Sequence, residues 1–279
     1  MAGTLYLVAT PIGNLEDMTY RAVRILKEVD IIAAEDTRNS IKILNHFDIH
    51  TPMTSYHEFN KIDKAVELIA ELKEGKSVAV ITDAGMPGIS DPGEELTAMC
   101  YEEGITVNVV PGACAAVTAV TGSGLPCRRF AFEAFLPKDK KEKARVFDEL
   151  SRETRTIIIY ESPHHLKETL KELATVFGEN RRMNVTRELT KLHEDKVLTT
   201  IGEAVAYYRE NDPRGEYVLV IEGKSKHEVE AEKQSRWEDM SLEDHLAMYE
   251  AEGLDRKAAM KKVAADRGVS KRDIYNQLL

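Results

Sequence analysis

Residues 5–22 read LYLVATPIGNLEDMTYRA, and the order of their parts decides the fold. Leu5 to Ala9 is an unbroken apolar run of strand length, and Thr10-Pro11-Ile12-Gly13-Asn14 supplies turn residues. The next segment, MTYRAVRILKEVD, brings Ala22, Val23, Leu26 and Val29 to one face of a helix. Strand, glycine-containing turn and helix in this order form the ligand-binding edge of an open α/β sheet. The turn is not a dinucleotide fingerprint. That motif needs G-x-G-x-x-G, and Thr10–Leu15 holds one glycine. A nicotinamide enzyme is disfavoured for this reason, although Glu35 and Asp36 end the second strand where an acid would take a ribose. No G-x-x-x-x-G-K-[ST] occurs, which excludes a P-loop.

Outward from this stretch the alternation continues. IIAA (31–34), SVAVIT and ITVNVV read as further strands, and KIDKAVELIAELKEG as a helix with Ile62, Ala65, Val66, Ile69 and Leu72 on one face. Another helix runs through Leu96 and Cys100. The pattern predicts an α/β protein with a mainly parallel sheet covered on both faces. GSGLPCRR (122–129) breaks the composition and separates domain 1–122 from domain 123–224. The second domain is also mixed α/β, with strands in RFAFEAFL, TIIIYES, RRMNVTREL and EYVLVIEG that can lie antiparallel. Residues 225–240 read as an exposed acidic linker, and 241–279 as three short helices shaped like a helix-turn-helix, with Ala258, Ala259 and Val263 inward.

The 279 residues, 43% hydrophobic, suffice for a large core, and no apolar run reaches the roughly 18 residues of a membrane helix. The N-terminus lacks the basic, apolar and small-residue series of a signal peptide, and the three cysteines have no zinc spacing. A reduced cytoplasmic protein without a metal is the expectation. The net charge of −10 hides local reversals: residues 128–145 and 255–273 each hold seven Lys/Arg against three Asp/Glu.

Three turns follow strands of the first domain: TPIGN (10–14), DAGMPGISDPG (83–93) and PGA (111–113). In a parallel sheet they share one edge, where glycine lets the backbone approach a ligand and helix starts present free N–H groups. The small residues of GACAA leave the last helix start open.

Taken together, LYLVATPIGNLEDMTYRA, AAEDTR, TDAGMPGISDPG, VVPGACAAVTA, FEAFLP, YESPHHL, TRELTKLHE and GEYVLVIEG resemble the tetrapyrrole-methylase superfamily of class III methyltransferases. Within it the resemblance is to the bacterial small-subunit rRNA methyltransferase I family. It implies a two-domain fold, S-adenosylmethionine as cofactor, a homodimer, and methylation of the ribose 2′-oxygen of a cytidine in the decoding region of 16S rRNA on the small ribosomal subunit. Relatives that methylate corrin-type rings commonly carry a Gly-Pro-Gly-like first turn, and Thr-Pro-Ile-Gly-Asn departs from it towards RNA. A tetrapyrrole methyltransferase and a ligand-sensing DNA-binding regulator are the alternatives.

The resemblance places the cofactor against Thr10, Pro11, Gly13 and Asn14, then Asp83, Ala84, Gly85, Pro87, Gly88, Ile89 and Ser90. Pro111, Ala113, Ala115 and Ala116 complete the first-domain wall, with Tyr160, Tyr217 and Val218 closing from the second. A ribose hydroxyl is a poor nucleophile and calls for a base. Candidates are Glu35, Asp36, His57 and Glu188, with Arg38 as a phosphate holder, and the sequence does not choose among them. Arg128, Arg129, Lys138, Lys140, Lys141, Arg187 and Lys191 are candidate RNA contacts.

Overall fold

The structure, a computed structural model, describes residues 2–237 and 239–278. Met1 and Leu279, the outer ends of the expected first domain and tail, lie outside the described residues, as does Glu238. The chain divides into two compact units: Met1–Leu150 with Thr156–Glu222, and Ser151–Arg155 with Gly223–Leu279.

The first unit contains two sheets. The first sheet has strands β1 (Thr4–Val8), β2 (Ile31–Ala34), β3 (Met53–Ser55), β4 (Val78–Ile81) and β5 (Thr106–Val110), ordered β3-β2-β4-β1-β5. Every pairing is parallel. Helices α1 (Tyr20–Glu28) and α2 (Thr37–His46) cover one face, and α3 (Lys61–Lys73) and α4 (Glu94–Glu102) the other. Burial on both faces explains the apolar runs: in β4, Val78 and Val80 face α3 and α4, while Ala79 and Ile81 face α1 and α2. After β1 the chain crosses to β2 on one side, and after β4 to β5 on the other. Their carboxyl ends therefore flank a topological switch point, where open α/β sheets bind ligands.

Helix α5 (Ala115–Gly122) follows β5, and a second sheet has the order β6-β7-β10-β8-β9. Its strands are β6 (Phe130–Phe135), β7 (Thr156–Glu161), β8 (Arg182–Arg187), β9 (Asp195–Thr200) and β10 (Tyr217–Ile221). Only β6–β7 is parallel; the other pairs are antiparallel. Helices α6 (Lys140–Leu150), α7 (Leu166–Phe177) and α8 (Ile201–Glu210) cover one face. The opposite face, through Ile158, Val218 and Val220, packs on Ala116, Ala119 and Val120 of α5. This shared core makes the two sheets lobes of one unit, although GSGLPCRR separates them in sequence.

Some expectations need correction. The buried face of α3 is Ala65, Leu68, Ile69 and Leu72, while Ile62 and Val66 stay 61% and 59% exposed. The i, i+3, i+4, i+7 spacing from Ala65 sets the face that meets the sheet, and Ile62 and Val66 fall beside it. Residues 225–240 are not a bare linker, because α9 (Lys226–Ser235) occupies most of them behind a Ser225–Glu228 capping box. In the second unit α10 (Leu242–Ala251), α11 (Arg256–Asp266) and α12 (Lys271–Gln277) follow, around Leu246, Ala259, Val263 and Ile274. Ala258 is only half-buried; Met260 and Ala264 take its expected place. Gly268, at φ +64°, turns the chain towards Ser270, the N-cap of α12.

Candidate functional site

The site is built on the turn that opened the chain. Thr10 N–H donates to the Gly85 carbonyl at 2.9 Å, Gly85 N–H returns a bond to Thr10 at 3.1 Å, and Thr10 Oγ1 donates to the Thr82 carbonyl at 3.0 Å. The loops after β1 and β4 are thereby joined at the switch point. A Cβ on Gly85 would meet Ile12 Cγ2 at 3.2 Å and the Ala113 carbonyl at 3.5 Å, so the loop after β5 lies in contact as well. All three glycine-bearing turns converge on one edge. The glycine of the first turn has a different reason: a Cβ on Gly13 would lie 2.5 Å from Lys191 Cγ and 3.0 Å from the Leu189 carbonyl. Gly13 is a contact point between lobes, not a phosphate cradle.

Between this edge and the second sheet lies a cavity of about 410 Å³, within the usual size of a small-molecule site. Of the expected cofactor residues, Asp83, Ala84, Gly85, Ile89, Ser90, Ala115, Tyr160, Tyr217 and Val218 line it. Thr10, Pro11, Pro87, Gly88 and Ala113 do not line it and serve the loop framework; Gly13, Asn14 and Pro111 are exposed beside it. Asn14 instead caps the short helical turn Leu15–Asp17. The start of α5 is not open, because Ala116 N–H donates to the Tyr160 hydroxyl at 3.0 Å. That bond ties the two lobes together, and burial followed by neighbouring Cys114 raises the Tyr160 phenol to about 12.

The proposed bases separate on geometry. Glu35 lines the cavity, but its Oε2 accepts the Asp83 N–H at 3.1 Å. Asp36 caps α2 and is held at about 2 by hydrogen bonds from Arg38, which closes on it at 2.7 Å outside the cavity. His57 does not line the cavity and packs edge-on against Phe59, ring centroids 6.2 Å apart. Glu188 is outside the lining too. Burial opposes its ionisation, but the Glu216 N–H and Lys191 outweigh that and leave its pKa lowered. Lys191 lines the cavity, paired with Glu188 at 2.9 Å and Glu216 at 2.8 Å. Arg187 ends β8, and Arg128, Arg129, Lys138, Lys140 and Lys141 are exposed around β6 and the start of α6 and do not line the cavity.

Sequence reasoning missed Asp91 as a site residue. It lines the cavity with Glu35 and Asp83, makes no hydrogen bond among the described residues, and is raised to about 7 by burial and then by those two carboxylates. Its only signal was a place in a Gly/Pro-rich loop, where Ser90 at φ +70° marks backbone strain. Phe135 was missed because a bulge between Phe132 and Ala134, with Ala134 at φ +60°, interrupts the strand alternation and brings its ring to 5.6 Å from Tyr160. Apolar Ile12, Met86, Ile89 and Leu189 complete the walls, and the pocket residue Ser162 keeps a buried Oγ without a partner. Apolar walls, spare polar groups and unpaired negative charge suit a nucleoside-bearing cation. Among the described residues no group of His, Cys, Asp and Glu is arranged to hold a metal ion.

Comparison with known proteins adds to this geometry. The family profile described as Tetrapyrrole (Corrin/Porphyrin) Methylases matches residues 4–205. A Halalkalibacterium halodurans protein named ribosomal RNA small subunit methyltransferase I is 52% identical over 98% of this chain and 94% of its own length. A Bacillus subtilis protein of the same name is 47% identical over 98% of this chain and 93% of its own. A crystal structure of uroporphyrin-III C-methyltransferase from Thermus thermophilus, complexed with S-adenyl homocysteine, is similar with a TM-score of 0.57 at 18% identity, covering 79% of this chain and 97% of that one.

Proposed function

We propose, from the premise that the chain belongs to the tetrapyrrole methylase family and its ribosomal RNA small subunit methyltransferase I branch, that it methylates a ribose 2′-oxygen of 16S rRNA. At the coarser level it is an S-adenosylmethionine-dependent rRNA methyltransferase. The finer reading places the target at a cytidine of the decoding region in the small ribosomal subunit. The observation that carries the assignment of a hydroxyl nucleophile is the half-buried Asp91, which lines the cavity without a hydrogen-bond partner among the described residues, beside apolar Ile12, Met86, Ile89 and Leu189.

Bound S-adenosylmethionine supplies a methyl group on a positively charged sulfur, already activated for displacement. The protein's work is alignment, water exclusion and a proton acceptor. Ile12 of the first turn and Asp83, Ala84, Gly85, Ile89 and Ser90 of the second would hold the donor side, the two loops being fixed to each other by the Thr10–Gly85 bridge. Ile12, Ile89, Leu189 and Val218 exclude water, and Glu35 and Asp83 offset the donor's positive charge. Glu35 accepts the Asp83 N–H, Asp83 accepts the Asn39 side-chain N–H, Glu161 accepts from Ser162 and Thr169, and Glu216 pairs with Lys191. Among the described lining residues this leaves Asp91 as the unengaged carboxylate that holds the proton lost by the ribose hydroxyl. Exposed Arg128, Arg129, Lys138, Lys140 and Lys141, outside the cavity, contact the RNA backbone. Incubation with labelled donor and small subunits, followed by mapping of the modified nucleotide, tests the reading. Label on a base, or none on RNA, overturns it.

The same reading includes a homodimer. Val109 on the β5 edge, Val117 on α5, and Val197 and Leu198 on the β9 edge are each about half exposed. A Cβ on Gly124, just past α5, would lie 3.4 Å from Leu198, so helix end and strand edge adjoin. Two open edges bearing apolar side chains call for cover, and a second copy provides it.

A further inference from the structure

We infer that the groove between α11 and α12 in the second unit binds unpaired nucleotides of the substrate RNA. The groove, about 700 Å³, has Met260 and Leu278 in its lining. Arg256, Lys257, Lys271 and Arg272 line it too, all exposed, with Tyr275 beside them at 55% exposure. Among the described residues Lys257, Lys271 and Arg272 enter no ion pair, and Arg256 meets only Glu250, at 3.7 Å.

The acidic residues of this segment are already engaged. Asp255 caps α11, Asp273 belongs to the capping box of α12, and Asp266 accepts the Tyr249 hydroxyl at 2.6 Å. Against these three acids the seven basic residues of 255–273 leave the segment positive, on a chain whose net charge is −10. Such local charge recruits a polyanion where the molecule as a whole does not. The occupant is read from the mixture of groups. Cations alone suit any phosphate backbone, but an exposed tyrosine beside an apolar floor suits a base freed from its stack. In a duplex the bases are stacked inside and cannot reach such a floor. α12, at seven residues, is also short for a major-groove reader.

The inference rests on the RNA-substrate reading, and the experiment separates the two. Full-length protein, Lys257→Glu with Arg272→Glu, Tyr275→Ala and Tyr275→Phe are titrated with small ribosomal subunits and with a short unstructured RNA across a salt series. Removing two phosphate contacts is expected to reduce the log–log salt slope on the oligonucleotide by about 1.4. Tyr275→Ala should weaken binding about tenfold, with Tyr275→Phe restoring it. Donor affinity stays unchanged in every variant, and circular dichroism confirms the fold. An unaltered affinity and slope in the charge-reversed protein overturns the inference, as does equal or tighter binding to duplex DNA. Loss on the subunits with no loss on the oligonucleotide assigns the groove to a ribosomal protein and also overturns it. Failure of the unaltered protein to methylate small subunits defeats the functional reading instead.

Discussion

The proposed chemistry rests on Asp91. Burial, and then the charges of Glu35 and Asp83, raise its carboxyl to about 7, so it takes up a proton at a pH where an ordinary aspartate does not. A base acts when ionised, so the rate should climb as pH rises through about 7 and level off above it. Asp91→Asn is expected to lower kcat by a factor on the order of 10² or more and abolish that pH dependence, while donor affinity holds. The same residue costs stability. Its folded pKa lies above the unfolded 3.8, so a penalty builds as pH rises from 3.8 towards about 7. Asp91→Asn should therefore raise Tm at neutral pH; a lowered Tm with an unchanged pH–rate profile would remove Asp91 from the mechanism. Nothing in the run GISDPG distinguishes this aspartate from a turn former, because burial and like-charge neighbours arise only in the folded loop.

Elements show where local pattern suffices and where it fails. Strands with both faces covered, such as β4, β7 and β10, announce themselves as apolar runs. β9 does not, since it lies at a sheet edge with Val197 and Leu198 exposed. The apolar contact of α5 with the second sheet is joined at the helix start by a hydrogen bond between residues far apart in sequence. Tyr160→Phe leaves the Ala116 N–H unpaired and is expected to destabilise the protein by about 1–3 kcal/mol, read by denaturant unfolding. In the second unit His245 is fully buried, stacked on Trp237 at 3.9 Å. Burial first, then Arg267, holds its pKa below the usual 6.5, with Asp266 opposing. The folded ring stays neutral, so its contribution is complete above pH 6.5 and is lost as pH falls through the lowered value. Trp237 is the single tryptophan, and its emission should report the loosening of this unit on acidification. Emission constant down to pH 5, a point about 1.5 units below the ordinary histidine value, would refute this.

At the scale of the whole molecule, charge and apolar surface sort the partners. Val117→Glu with Val197→Glu should convert the proposed dimer to monomer in sedimentation equilibrium, since a carboxylate buried against a second copy is costly. A dimer that survives both changes uses another surface. Lys138→Glu with Lys140→Glu is expected to weaken binding to small subunits, most at low salt, without touching donor affinity. Equal binding across the salt series would show that these lysines are only solvated. No helix among the described residues is long and apolar enough to cross a membrane.

Read by itself, the sequence determined the α/β alternation and the three glycine-bearing turns on one sheet edge. It also determined that LYLVATPIGN is no pyrophosphate cradle. Each of these follows from the spacing of apolar residues and from turn chemistry, which are local. Only the tertiary structure decided that Gly13 faces Leu189 and Lys191, that Tyr160 takes the Ala116 N–H, and that Asp91, not Asp36 or His57, stands in the cavity. It likewise decided that four cations and Tyr275 surround one groove in the second unit. These are juxtapositions of side chains brought together by packing, and packing depends on which faces meet once every strand and helix is in place.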